Sequence, residues 1–219
     1  LQKKLLVHQC GKKLCREKKY RSVASGFIIK TTNYGAYGIT AAHVCTRKLP
    51  KMDPPLQRKA TYKATTVKGE TFEAKVLSYN SDIDVCMIFI PKMTAEDTAS
   101  LKLAPRAPKP GSKIYNIAAP AGIFAPGMIP TFDGRFSGNG EFFAYYSIVA
   151  SPGSSGSMLI NKKGELVGML HSVYVRFPHI VLSPKFEELR DFIYFNLNKY
   201  EKYHDVMKEL ELDNIFTII

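Results

Sequence analysis

The chain of 219 residues has no tryptophan, four cysteines, and no apolar run near the roughly 20 residues that span a bilayer. The last absence excludes a membrane-spanning helix, and the few cysteines exclude a densely cross-linked miniature scaffold. There is no internal repeat, so a solenoid or propeller array is excluded as well. No C-x-x-C paired with H-x-x-x-H occurs, and no RNA-binding aromatic signature. Acidic residues are few: 19 Asp and Glu stand against 31 Lys and Arg, leaving a formal charge of +12.

What remains is ordinary globular material. Hydrophobic residues make up 45% and charged ones 23%, which argues against disorder. Packing falls to 12 Tyr and 13 Phe, and the length suits one domain or two half-domains around a shared core. The excess positive charge crowds the first 21 residues, with Lys3, Lys4, Lys12, Lys13, Arg16, Lys18, Lys19 and Arg21. Such a field suits a solvated basic face, or an anionic partner such as nucleic acid or a membrane surface. The cysteines Cys10, Cys15, Cys45 and Cys86 permit two disulfides, but their spacing prescribes none. Cys86 lies in the run V-C-M-I-F-I and reads as a small buried thiol. His8, Cys10 and Cys15 make only a weak three-ligand set. No metal and no cofactor are expected.

From about Ser22 the chain alternates short β segments with turn signals. V-A-S-G-F-I-I-K and A-Y-G-I-T-A-A flank the turn T-T-N-Y-G, and two further strands flank Lys68-Gly69-Glu70. D-V-C-M-I-F-I is a continuous apolar strand closed by Pro91. A proline-rich passage, Lys102 to Gly111, reads as a connector. Beyond it come K-I-Y-N-I-A-A, F-F-A-Y-Y-S-I-V-A and a hairpin through N-K-K-G. Residues 120–140 read as loop with one short strand at most. Ser183 reads as the cap and Pro184 as the opening of a helix with Phe186, Leu189, Ile193 and Leu197 on one face. A second helical pattern contains Val206, Met207 and Leu210.

Three local patterns carry chemistry. I-T-A-A-H-V places His43 directly after a strand of small residues, Asp84 leads the strand V-C-M-I, and P-G-S-S-G-S sets Ser155 in a glycine-flanked turn. Acyl transfer needs a nucleophile, a base to take its proton, and a carboxylate to hold the base's tautomer. The glycines let the N–H groups of Gly153 and Ser155 converge on a developing oxyanion. Asp82 competes with Asp84, but it would place a charged residue inside the following strand, so Asp84 is preferred.

In order and spacing these segments resemble the chymotrypsin-fold, trypsin-like serine proteases, and within them the HtrA-like branch. S-G-F-I-I…G-I-T-A-A-H-V resembles the first barrel of that family, and I-Y-N-I-A-A-P-A-G-I the loop opening its second. S-P-G-S-S-G-S-M-L-I-N-K-K-G-E-L-V-G-M is similar to the serine loop and its hairpin, and H-I-V-L-S-P to the last strand. The resemblance implies an all-β fold of two six-stranded antiparallel barrels with a C-terminal helical segment. It sets residues 1–21 as a basic extension, 22–101 as the first barrel, 102–110 as a linker, 111–184 as the second barrel and 185–219 as C-terminal helices. The implied activity is a serine endopeptidase acting on polypeptides, with His43, Asp84 and Ser155 as triad and Gly153 and Ser155 as oxyanion donors. A binding module without activity and a basic nucleic-acid-binding protein are the alternatives.

Departures are informative. Ser157 stands where the family usually has a second glycine, a variant like those of viral and phage-encoded members. Ser154 replaces the aspartate that trypsin-like zymogens use in activation, so competence without processing is expected. The chain is too short to add a PDZ domain. A phage gene would place the protein in the host cytoplasm, and a removed signal peptide would place it outside. The resemblance assigns substrate contact to Val149, His171, Ser172 and Val173. An uncharged Val149 and a branched Val173 imply small or medium aliphatic residues before the scissile bond. His171, one step along the strand from the usual pocket position, is expected to face the triad.

Overall fold

The computed structural model describes residues 1–10, 15–46, 57–174, 177 and 179–209. Two antiparallel sheets of seven strands form the body of the fold. The first contains β1 (Gln2–Cys10), β2 (Cys15–Val23), β3 (Phe27–Thr31), β4 (Gly35–Ala41), β5 (Gln57–Thr65), β6 (Thr71–Asn80) and β7 (Val85–Pro91). Their order across the sheet is β2-β1-β5-β6-β7-β4-β3. A short helix α1 (Ala42–Thr46) follows β4. The second sheet contains β8 (Lys113–Ile117), β9 (Thr131–Asn139), β10 (Ala144–Ser147), β11 (Ser157–Ile160), β12 (Leu166–Leu170), β13 (Ser172–Val173) and β14 (Ile180–Ser183), in the order β12-β11-β8-β9-β10-β14-β13. Its ends curl together: Met169 N–H donates to Ser183 Oγ and His171 N–H to the Leu182 carbonyl, each at 3.0 Å. Helix α2 (Phe186–Glu209) closes the described chain.

Strand β7 is apolar throughout because both of its faces are buried. Cys86, Ile88 and Ile90 pack inside the first sheet with Ala36 and Met93. Val85, Met87 and Phe89 point the other way, into a cluster with Tyr37 and Ile39 that also takes Leu166 and Met169 from the second sheet. Leu189 and Ile193 of α2 fill the same cluster, so the helix seals the seam between the halves. A separate core around Ile114, Phe136, Tyr146, Leu159 and Val181 lies within the second sheet. The α2 helix is tied back to the first sheet by Tyr200 Oη on the Leu77 carbonyl and by Lys30 with Glu201 at 2.6 Å. Among the described residues no helix is long and apolar enough to cross a membrane.

Several expectations change. Each sheet has seven strands rather than six. Residues 1–21, expected as a basic extension, supply β1 and most of β2, an edge hairpin of the first sheet. The linker is docked: Ala104 is buried, its N–H donates to the Leu166 carbonyl, and Leu166 N–H returns to Lys102. In the stretch expected to be mostly loop, β9 runs for nine residues. Its glycines mask the strand signal, yet Gly134 is required there, since a Cβ would meet the Ser147 carbonyl at the end of β10 and Ile148 just beyond it. Ser183 does not cap α2, because its hydroxyl is used by Met169 N–H and the Pro184 carbonyl. Glu188 Oε2 accepts from Lys185 N–H at 3.1 Å instead. One continuous helix spans Phe186–Glu209 in place of two patterns; the side chains of Val206 and Met207, and Leu210, lie outside the described residues.

Cys86 is also not a free thiol. It is bonded to Cys45, 41 residues away, with their Cα atoms 6.6 Å apart. Sequence separation hid this contact. The register Ala41↔Val85 sets the end of β4 beside the start of β7, and α1 then turns back over that pair. The side chains of His8, Cys10 and Cys15 lie outside the described residues, although Cys10 and Cys15 face each other across the β1–β2 hairpin at the backbone. Replacing Cys45 and Cys86 by alanine should lower the unfolding free energy by about 4 kcal/mol, the chain-entropy value for closing a loop of 41 residues. Urea unfolding of the oxidised protein and the double variant measures it, and a difference below about 1 kcal/mol would contradict the cross-link.

Candidate functional site

His43 enters the structure where β4 ends. Ala41 and Ala42 are fully buried, and small side chains let the backbone turn there into α1 against the core. Asp84 lies opposite, immediately before β7, with a φ of 54°. Aspartate tolerates this left-handed conformation better than most residues. The turn aims both ends of the residue at α1. The Asp84 carbonyl accepts from Ala42 N–H at 3.0 Å, and Oδ1 accepts from His43 N–H at 2.8 Å. The second oxygen, Oδ2, lies 2.7 Å from His43 Nδ1. A proton on Nδ1 makes that contact a hydrogen bond and leaves Nε2 as the basic nitrogen. Asp82 has no such role: it is exposed in the preceding turn, its N–H held by Asn80 Oδ1 at 2.9 Å.

Ser155 sits in the loop before β11. Gly153 and Gly156 adopt φ of +99° and +84°. A side chain at Gly153 would meet the Ala119 carbonyl at 2.7 Å, and one at Gly156 would collide with the Ser25 carbonyl and Thr40 Oγ1. Ser25, between β2 and β3, holds the loop from the side of the first sheet. Its N–H donates to the Ser155 carbonyl at 2.9 Å, and its hydroxyl donates to the Gly153 carbonyl at 2.9 Å while accepting from Ala119 N–H at 3.0 Å. Thr40 Oγ1 in turn donates to the Ser25 carbonyl at 2.8 Å. Behind the loop, Ser157 is buried and its hydroxyl accepts from Asn116 Nδ2 at 2.6 Å. Serine at that position therefore has a bond that glycine would lack. Among the described residues, neither Gly153 N–H nor Ser155 N–H donates to a protein acceptor.

His43, Asp84, Gly153 and Ser155 line one cleft of about 610 Å³ between the halves. Lys3 of β1 and Ser22 and Val23 of β2 form its far wall. Lys3 is buried, its Nζ donates to the Val44 carbonyl at 2.9 Å, and it lies over the Tyr62 ring.

The residues read as substrate contacts divide. His171 is buried and its ring turns toward Asp84, with Nδ1 3.5 Å from Oδ2. Its carbonyl faces Ser155 Oγ at 3.5 Å. Burial holds the His171 imidazole below its ordinary pKa, against the pull of Asp84 and together with the push of His43. Ser172 and Val173 are half-buried, Val173 leaning on the second core, and Val149 is exposed. Sequence reasoning missed Ser25, Thr40, Asn116 and Lys3. Ser25 and Thr40 are ordinary polar residues of a strand pattern, and only the β3–β4 pairing beside the serine loop gives them meaning.

A family model of the trypsin-like peptidase domain matches residues 24–169. No curated protein is similar enough to match the chain. Loss of the Ser25 hydroxyl leaves the Gly153 carbonyl and Ala119 N–H without their shared partner. Ser25→Ala should therefore destabilise the fold by about 1–3 kcal/mol. Denaturant unfolding checks this, and an unchanged midpoint would show that the hydroxyl does not hold the loop.

Proposed function

The chain belongs to the trypsin-like peptidase family, and from that premise we propose that it is a serine endopeptidase with His43, Asp84 and Ser155 as its triad. The observation that carries the reading is the double hold of Asp84 on His43, at the backbone N–H and at Nδ1, in a cleft that Ser155 shares. A positioned base without a nucleophile, or a nucleophile without a base, would not favour acyl transfer over simple binding.

In the proposed reaction Ser155 Oγ attacks the scissile carbonyl while His43 Nε2 takes its proton. The oxyanion is met by Gly153 N–H and Ser155 N–H, which have no acceptor to give up among the described residues. His43 then passes its proton to the leaving amine, and the C–N bond breaks to leave an acyl-enzyme. Water, deprotonated by the same nitrogen, releases the acid and restores Ser155. Asp84 keeps its charge throughout and stabilises the imidazolium. The similarity of the serine loop and its hairpin supports the HtrA-like branch. Ser154, buried with its hydroxyl 3.5 Å from Ser151 N–H, supports a loop that needs no aspartate to order it.

Ser155→Ala or His43→Ala should reduce kcat by at least about ten-thousand-fold with an unchanged melting curve, and Asp84→Asn by a similar factor. Steady-state hydrolysis of a peptide substrate, together with fluorophosphonate labelling of Ser155, measures this. Turnover by Ser155→Ala at the wild-type rate would end the proposal.

Substrate choice is proposed to lie with the backbone of His171–Val173 and the uncharged side chains of Val149 and Val173. Cleavage of a peptide library should concentrate after Ala, Val or Leu, graded by about 10–200-fold against residues one methylene larger or smaller. Cleavage mainly after Arg, Lys, Glu or Gln would refute the preference and leave the triad standing.

A further inference from the structure

Resting on the reading of Asp84 and His43 as a catalytic pair, we propose that His171 is a positioning residue. Its neutral imidazole turns Nδ1–H toward the Asp84 carboxylate from the second half and steadies that carboxylate for His43. Two imidazoles thus share one oxygen: His43 Nδ1 lies 2.7 Å and His171 Nδ1 3.5 Å from Asp84 Oδ2.

The ring has little freedom. His171 N–H is fixed to the Leu182 carbonyl of β14, its side chain is 8% exposed, and Phe143 covers it with ring centroids 5.0 Å apart. The surroundings decide the tautomer. A lone pair on Nδ1 would face the carboxylate's own lone pairs, so the proton belongs on Nδ1. Nε2 then carries only a lone pair, and Nε2 is the buried atom without a hydrogen-bond partner among the described residues. The opposite tautomer would both oppose two lone pairs and bury an unpaired N–H.

Three groups that carry or exchange a proton bear on His171: the Asp84 carboxylate beside its ring and His43, whose charge acts on it, from the first half, and the Ser155 hydroxyl, which donates to its backbone carbonyl. Phe143 and the Leu182 carbonyl close the other sides without charge. Burial, the largest influence, keeps His171 below its ordinary pKa of 6.5, so the ring is neutral at neutral pH. The sign of the pH effect follows. As pH falls, protonation of His171 puts a second cation on Asp84 and weakens its support for the imidazolium that His43 must become. Protonation of His171 is therefore inhibitory in its own right. A side chain that donates a hydrogen bond but cannot titrate would keep the positioning and lose the inhibitory proton.

The test begins with the wild-type protein. 15N NMR of labelled histidines at pH 7.5 should show His171 as the Nδ1–H tautomer, and the Nε2–H tautomer would overturn the proposal. Kinetics of His171→Ala and His171→Asn follow, with melting curves to establish folding. The alanine variant should lose about tenfold in kcat with KM within about twofold. The asparagine variant, with Nδ2 near the place of Nδ1, should recover most of that loss. Relative to its own plateau, each variant should lose less kcat than the wild type as pH falls, because the inhibitory proton on His171 is gone. Wild-type kcat and a wild-type acid limb in both variants would overturn the role of His171. Fluorophosphonate labelling of the same samples separates the two failures. Labelled enzyme indifferent to His171 refutes the inference alone, whereas unlabelled wild type with Ser155→Ala turnover unchanged refutes the protease reading.

Discussion

The Asp84 side chain grips α1 at two points, the backbone N–H and the ring nitrogen of His43, while its carbonyl takes the N–H of Ala42. Three bonds from one residue decide where the chain leaves β4 and which way it faces. They need Asp84 in a left-handed conformation, which in turn needs β7 to start where it does, paired Ala41↔Val85 with β4. The disulfide two residues further along both segments fastens the same junction. The first half of the cleft is thus built around a single carboxylate. The serine loop reaches it through Ser25, which carries hydrogen bonds across the seam between the halves.

How much of this could be read beforehand follows from the range of each interaction. The β3–β4 and β5–β6 hairpins and the β11–β12 hairpin were legible because their patterning and turn residues are local. Asp84 was separable from Asp82 because only one of them leaves the strand's apolar alternation intact. The turn of His171 toward Asp84 was expected from strand parity counted from the pocket position that the resemblance implies. The Cys45–Cys86 bond, the bridging role of Ser25 and the pair Asn116–Ser157 were not legible. Each joins residues at least 41 positions apart through side chains whose types suit many surroundings. Strand β9 was obscured for another reason: Gly134 weakens the local signal at the place where close strand packing demands it.

The dense positive charge at the start of the chain acquires a structural meaning. Strand β2 is an outer strand of the first sheet and carries Arg16, Lys18, Lys19 and Arg21. A charged outer strand resists pairing with the edge of another molecule, and lysine is the residue most used for this. Lys3, one strand inward, is turned to a different use, since its stem is buried and its ammonium holds the C-terminal side of α1 at the Val44 carbonyl. Position within the hairpin, not net charge, separates these roles.

The cross-link between Cys45 and Cys86 also bears on survival among molecules of the same kind. With the proposed peptidase activity, each molecule in concentrated solution would be exposed to its neighbours' attack, and exposed chain between strands is where such nicks fall. The loop closed by this bond contains every peptide between the segment of His43 and that of Asp84. A single cut anywhere in it leaves two fragments that remain covalently joined, with β4 and β7 still paired and the histidine still beside its carboxylate. Autolysis there would nick the chain without parting the two residues.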